Sequence, residues 1–131
     1  MGRYYDGDIE GKFWFGLQPS DDADFFGVQG QRGNRHFFYS FLEENKKDVE
    51  NGLNTCAINL SATKPHLDTF FGEPRAYNNK EISNHLQKNM GWTYSEDEVL
   101  NLLTWYARHN LGTEILGSIN KTGACFFTAE R

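Results

Sequence analysis

The chain has 131 residues and a formal net charge of -5, and its 11 Phe, 6 Tyr and 3 Trp make it rich in aromatic side chains. This length predicts one globular domain, 1–131, and the aromatic residues supply enough apolar area for a core without disulfides or metals. Frequent charged residues and the lack of a long apolar run exclude a membrane-spanning chain. We therefore expect a soluble domain with a strongly polar surface.

Charge and cysteine usage exclude several classes of function. The basic residues are scattered, with only Lys46 and Lys47 adjacent, which argues against nucleic acid as a partner because phosphate contacts need clustered cations. Cys56 and Cys125 have no CxxC spacing and no nearby His, so zinc-ligand spacing is absent. No secretory signal follows Met1, and we expect an intracellular, cytoplasmic protein.

The stretch from Asp6 to Leu17 joins three spaced carboxylates to an aromatic strand. Asp6, Asp8 and Glu10 alternate along the chain and a Gly follows, as at the start of an EF-hand calcium loop. Leu17 stands where the bidentate Glu belongs and no helical pattern precedes the loop, which excludes an EF-hand. Because Asp-Gly is also a turn signal, the simpler interpretation is a short hairpin whose acidic side chains face water.

A second acidic group follows Pro19 in a predicted loop, 19–34. If the intervening strand folds back, six carboxylates face one another: Asp6, Asp8, Glu10, Asp21, Asp22 and Asp24. Such a group could bind Mg²⁺, Mn²⁺ or Ca²⁺, in a metal-binding domain or a metal-dependent enzyme; no other cofactor is indicated. Two alternatives stay open, namely an acidic surface without a ligand and a short helical turn with Ser20 as its N-cap.

The opening stretch also carries a resemblance. Residues 2–16 read GRYYDGDIEGKFWFG. This stretch resembles the start of short uncharacterised proteins from large DNA viruses and marine environmental sequence. The resemblance implies a small accessory protein, and it implies no activity and no functional residues.

Alternating apolar residues predict a small antiparallel sheet. Its strands are 12–18, 35–42 and 124–128, and 115–119 is either a fourth strand, paired with 124–128, or a short helix. In the second strand the residues divide between two apolar faces: Phe37, Tyr39 and Phe41 on one, and His36, Phe38, Ser40 and Leu42 on the other. We expect helices to cover one face and a partner, a ligand or the long loop to meet the other.

Helical periodicity predicts helices over 46–60, 80–90 and 96–110. The last has the strongest local signal, a capping box from Ser95 to Glu98 in front of an apolar stripe. Residues 61–78 read as irregular because Pro65, Gly72 and Pro74 interrupt every period. The sequence thus predicts an α+β fold, a small antiparallel sheet with two or three helices packed on one face.

No complete catalytic motif occurs in the chain. The leading hypothesis is therefore a non-catalytic binding or assembly domain that acts through an aromatic-rich surface including Trp14, His36 and Phe38. Its partner would be a second copy, as a homodimer, or another protein. The alternatives are the metal-binding domain above and a sheet that stacks single-stranded nucleic acid on its aromatic side chains.

Overall fold

The structure is a computed structural model that describes residues 4–12, 18–72, 78–91 and 93–131. Within these ranges the chain forms an α+β fold, as predicted. The strands are β1 (Tyr4–Gly7), β2 (Gly11–Lys12), β3 (Gln31–Arg32), β4 (His36–Leu42) and β5 (Ala124–Glu130). The α-helices are α1 (Lys46–Leu60), α2 (Lys64–Phe70), α3 (Asn79–Met90) and α4 (Glu96–Thr122), and 3₁₀ turns cover Asp22–Phe26, Glu43–Asn45 and Ser61–Thr63.

The strands form one antiparallel sheet in the order β2-β1-β5-β4-β3. The central strand, β5, pairs with β4 along its whole length, with Tyr39 opposite Phe127, and with β1 on its other side, with Asp6 opposite Thr128. The short hairpin suggested by Asp6-Gly7 is confirmed as β1–β2, in which Tyr4 pairs with Lys12. Lys12, the first residue of the predicted strand 12–18, lies in β2. Residues 13–17 of that prediction lie outside the described residues.

Of the two alternatives for 115–119, the strand is wrong and the helix is confirmed, although this segment is part of α4, which continues to Thr122. Leu111, Ile115 and Ile119 are all buried and recur every four residues, so they form one apolar stripe of a helix. Gly123, in the left-handed conformation with φ 83°, ends the helix and leads directly into β5. Residues 120–123 therefore end this helix and do not form a hairpin turn before β5.

The segment predicted to be irregular, 61–78, is partly helical. A 3₁₀ turn leads into α2, and Pro65 lies in the first turn of that helix. Proline is tolerated there because the first N–H groups of a helix have no intrahelical partner. The predictions for α1 and α3 are confirmed, and Asn78 is the N-cap of α3. The capping box of α4 is confirmed by reciprocal hydrogen bonds between Ser95 and Glu98.

Buried apolar side chains form two clusters, both built partly from α4. The sheet-side core joins the inner sheet face to α1 and the C-terminal half of α4, and includes Tyr39, Phe41, Val49, Cys56, Ile115 and Phe127. The helical core joins α2 and α3 to the N-terminal half of α4, and includes Leu60, Leu67, Phe70, Ile82, Leu86 and Leu103. Trp105 packs against both clusters and so connects them.

Phe26 attaches the long loop to the sheet-side core. Its side chain is fully buried between α1 and α4, at the two glycines Gly52 and Gly112. A Cβ atom at Gly112 would lie 2.4 Å from Phe26 Cζ, and one at Gly52 would lie 2.7 Å from its Cδ1. Each helix therefore needs glycine where this ring enters, despite the cost of about 1 kcal/mol for a glycine inside a helix.

Candidate functional site

The outer face of the sheet, defined by the side chains of β1, β4 and β5 that point away from the helices, is the candidate site. Strand register places these side chains in rows across the sheet. From one end of the strands to the other, the rows are Glu130 with His36, then Asp6, Thr128 and Phe38, then Phe126 with Ser40, and finally Ala124 with Leu42. Tyr4 lies on the same face, beside the first row.

Aromatic side chains occupy the middle of the outer face. Phe38 and Phe126 are 51% and 50% exposed, while their inward-facing neighbours Tyr39 and Phe127 are buried. Because Phe38 faces Thr128 and Ser40 faces Phe126, the two phenyl groups are diagonal neighbours on adjacent strands. Tyr4 and Leu42 are also exposed. The outer face thus combines a central aromatic pair with further apolar side chains at both ends.

The position of the Phe38 ring depends on a glycine in the β3–β4 turn. A Cβ atom at Gly33 would lie 2.5 Å from Phe38 Cε2, so the ring extends over this turn only because Gly33 has no side chain. His36 lies one row away, with its ring centroid 6.5 Å from that of Phe38. His36 and Phe38 are therefore on the exposed face, while Trp14, the third residue predicted there, lies outside the described residues.

Two of the six predicted metal-binding carboxylates make internal polar contacts. Asp22 is 2% exposed; its Oδ1 pairs with the guanidinium of Arg108 at 2.9 Å, and its Oδ2 accepts a hydrogen bond from Gln18. Asp24 Oδ1 accepts hydrogen bonds from the hydroxyl of Tyr39 at 2.6 Å and the N–H of Gly30 at 2.9 Å. These contacts hold the long loop against the sheet-side core.

The other four acidic residues lie nearer the surface. Asp8 Oδ2 accepts a hydrogen bond from the N–H of Phe126, which ties the β1–β2 turn to β5. Asp6 and Glu10 border an open cleft of about 440 Å³, and Asp21 precedes the 3₁₀ turn. Among the described residues, no three Asp, Glu, His or Cys side chains converge as a metal ion requires. The metal site stays a prediction that ion-binding measurements would test.

Burial and hydrogen bonding make the groups behind the sheet chemically inert. Burial, then the hydrogen bond to Asp24, raises the pKa of Tyr39 far above its usual value. Burial also raises the pKa of Cys56 and of Cys125 to about 11. Thiols with such pKa values are protonated near neutral pH, and a protonated thiol is a poor nucleophile. The interpretation of Cys56 as a buried apolar residue agrees with its zero exposure.

A polar cluster that the sequence analysis missed lies between α2 and α4. The hydroxyl of Tyr106 donates to Asp68 Oδ1 at 2.7 Å, and Lys64 Nζ lies 2.8 Å from Asp68 Oδ2. His109 lies one turn further along α4. The spacing of Lys64 and Asp68, four residues apart, was a usable signal for their pair. The residues on α4 are about forty positions away, and only the tertiary fold brings them to Asp68.

Comparisons with protein-family models, curated proteins and solved structures gave no match for this chain. In the parts of the chain that the structure describes, no helix combines the length and the apolar character needed to cross a membrane.

Proposed function

We propose that this protein is a non-catalytic binding or assembly domain whose binding surface is the outer face of the sheet. The observation that carries the proposal is the pair Phe38 and Phe126, adjacent on neighbouring strands and each half exposed. The solvent-facing side of an antiparallel sheet normally carries polar side chains. Aromatic side chains in that position are typical of protein–protein contacts, which are enriched in Phe, Tyr and Trp.

The distribution of charge along the outer face favours a second copy of this chain as the partner. Asp6 and Glu130 lie toward one end of the face, whereas Phe126 and Leu42 lie toward the other. In a two-fold contact centred near Ser40, the apolar ends of two copies meet and their acidic ends point in opposite directions. Two-fold contacts of this kind are the commonest form of self-association.

The apolar area limits how strong this contact is. The exposed halves of Phe38 and Phe126, together with Leu42, offer roughly 200 to 300 Å² of apolar surface, on the scale of what aromatic side chains bury. A stable interface buries about 800 Å² on each partner, so most of the remaining area would be polar. We therefore expect a weak dimer whose population rises with concentration.

Sedimentation velocity from about 10 µM to about 1 mM, the range in which weak dimers form, tests the proposal. The mass of the wild-type protein should rise with concentration, and the double variant Phe38→Ser/Phe126→Ser should remain a monomer. Ile58→Ser is the matched control, because Ile58 is an exposed apolar residue (77%) on α1, away from the sheet. A wild-type monomer at every concentration, or a folded double variant that dimerises like wild type, would contradict the proposal.

A further inference from the structure

Ionisable side chains hold α2 in place on two sides. Toward α4, the Asp68 carboxylate accepts the Tyr106 hydroxyl and pairs with Lys64. Toward α3, the Nε2 of His85 bonds to the backbone carbonyl of His66 at 2.9 Å. The apolar part of the contact comes from Leu67 and Phe70, both buried in the helical core. Ionisable side chains thus help to hold this seven-residue helix in position, beside its buried apolar residues.

His109 is the group in this contact that is least suited to carry a proton. It follows Tyr106 by three residues on α4 and lies on the same side of the helix. Its Nδ1 is buried, and no hydrogen-bond partner for that atom exists among the described residues. Burial, followed by the charge of Lys64, lowers the pKa of His109, and the opposing effect of Asp68 is smaller.

Asp68 does not titrate in the same pH range. Burial raises its pKa, but the hydrogen bonds from Lys64 and Tyr106 and the charges of Lys64 and His109 together outweigh burial and hold the pKa below its usual value. His109 is therefore a group beside the α2 contact whose buried Nδ1 and lowered pKa oppose protonation in the closed arrangement.

The connection between α1 and α2 contains a strained residue. Ser61 has φ 51° and ψ -135°, a conformation that residues with a side chain rarely adopt. Ser61 is also the point at which the chain leaves α1 and turns toward α2. Its position between the two helices makes Ser61 the point at which α2 could pivot relative to α1.

We propose that α2 is an acid-released segment, which leaves its position against α4 when His109 is protonated and pivots at Ser61. In the open state His109 is hydrated and titrates near its ordinary pKa of about 6.5. The closed state binds this proton less readily than the open state does. The free energy that favours the closed state therefore has its full value above about pH 6.5, and it falls as the pH drops from there toward the lower pKa of His109 in the closed state. Opening uncovers Leu67 and Phe70 and the helical surfaces on which they pack.

Hydrogen exchange of the whole chain, read by mass spectrometry at pH 7.5 and pH 5.0 and corrected for intrinsic rates, tests this proposal. Amides of α2 should be less protected from exchange at pH 5.0 than at pH 7.5, by up to about thirtyfold. This factor is the limit for a His that has a pKa of about 6.5 in the open state and stays neutral in the closed state. Amides of β4 and β5 should keep their protection at both pH values and serve as the internal control. Equal protection of α2 at both pH values would overturn the proposal.

Two variants assign the effect to His109. His109→Gln cannot gain a charge, so the protection of α2 should become independent of pH. Lys64→Met removes the nearby positive charge and should make the pH effect smaller, which gives a second test if His109→Gln does not fold. Loss of α2 protection in His109→Gln equal to that of wild type would overturn the proposal, because another group would then be responsible.

Discussion

The sheet-side core and the helical core treat polar groups differently, although α4 passes through both. In the sheet-side core, polar side chains are paired inside the protein: Asp22 with Arg108, and Asp24 with Tyr39. Arg108 also lies over Trp105, 4.8 Å from the ring centroid, which shields it from water. We therefore expect a large loss of unfolding free energy when a substitution in this core removes one member of a polar pair or changes the size of a packed side chain.

In the helical core the polar contacts lie at the edge of the apolar cluster. Asp68 and Lys64 remain partly exposed to water, and His109 has a buried Nδ1 without a hydrogen-bond partner among the described residues. Solvent weakens such contacts, and pH changes their charge. One helix thus contributes to a core whose charged groups are paired inside the protein and to a core whose charged groups lie at its solvent-exposed edge.

The largest effect is expected for Asp22→Ala. The variant leaves Arg108, whose side chain is only 18% exposed, without its ion-pair partner, and breaking a buried pair in this way costs about 3 kcal/mol of unfolding free energy. Urea denaturation measures the loss. The double variant Asp22→Leu/Arg108→Met removes both charges and should recover most of it. A single variant as stable as wild type would show that the pair does not support the sheet-side core.

A smaller loss is expected for Gly112→Ala. The added methyl group would lie within 2.4–2.8 Å of atoms of Phe26 and Leu53, and such overpacking costs about 2 kcal/mol. Thermal and urea denaturation should both show a less stable protein. An increase in stability, as expected for Gly→Ala at an exposed helix position, would mean that the Phe26 ring does not pack against Gly112.

Tyr106→Phe tests the edge of the helical core. Loss of the hydroxyl that donates to Asp68 should lower the unfolding free energy by about 1 kcal/mol. This value is toward the low end of the range for a hydrogen bond to a charged acceptor, because Asp68 is half exposed. The pKa of Asp68 is lowered in the folded state. Its stabilising effect is therefore complete above about pH 3.9 and is lost as the pH falls through the lower folded value. The unfolding free energy of wild type should therefore exceed that of the variant by less in acid than at neutral pH. An excess that does not change with pH would contradict this assignment.

The smallest effect, and the only gain, is expected for Gly117→Ala. Gly117 lies in the same helix as Gly112, but no atom lies within 4 Å of the position of its Cβ. Alanine should therefore stabilise the protein by about 0.5 to 1 kcal/mol through lower entropy of the unfolded chain. If Gly112→Ala lowers the stability and Gly117→Ala raises it, the tight packing lies at Gly112. Equal changes in stability would show that packing does not differ between the two positions.

The sequence predicted the fold class and the faces of β4 because local periodicity determines both. It placed the end of the last helix near Asn110, since Gly112 reads as a stop signal. The helix continues because that glycine makes room for Phe26, a residue 86 positions earlier. The four-residue spacing of Leu111, Ile115 and Ile119 was a local signal that the helix continues, but no local pattern shows why Gly112 is accommodated inside it.

The candidate site was predictable in part for the same reason. Alternation placed His36 and Phe38 on one face, but the neighbour of Phe38 across the sheet, Phe126, follows only from the β4–β5 register. Asp22 and Asp24 were predicted as candidate metal ligands, with an acidic surface as one alternative, whereas Arg108 and Tyr39 engage them inside the protein. Partners so distant in sequence are assigned only by the tertiary structure.

The measurement that tests the central claim most directly is a series of amide NMR spectra of the wild-type protein from about 50 µM to about 1 mM, spanning the range of a weak dimer. The account predicts chemical-shift changes that grow with concentration and centre on Phe38, Ser40 and Phe126, with none around Ile58. Spectra that do not change with concentration, or changes centred on α1, would contradict the assignment of the outer sheet face as the assembly surface.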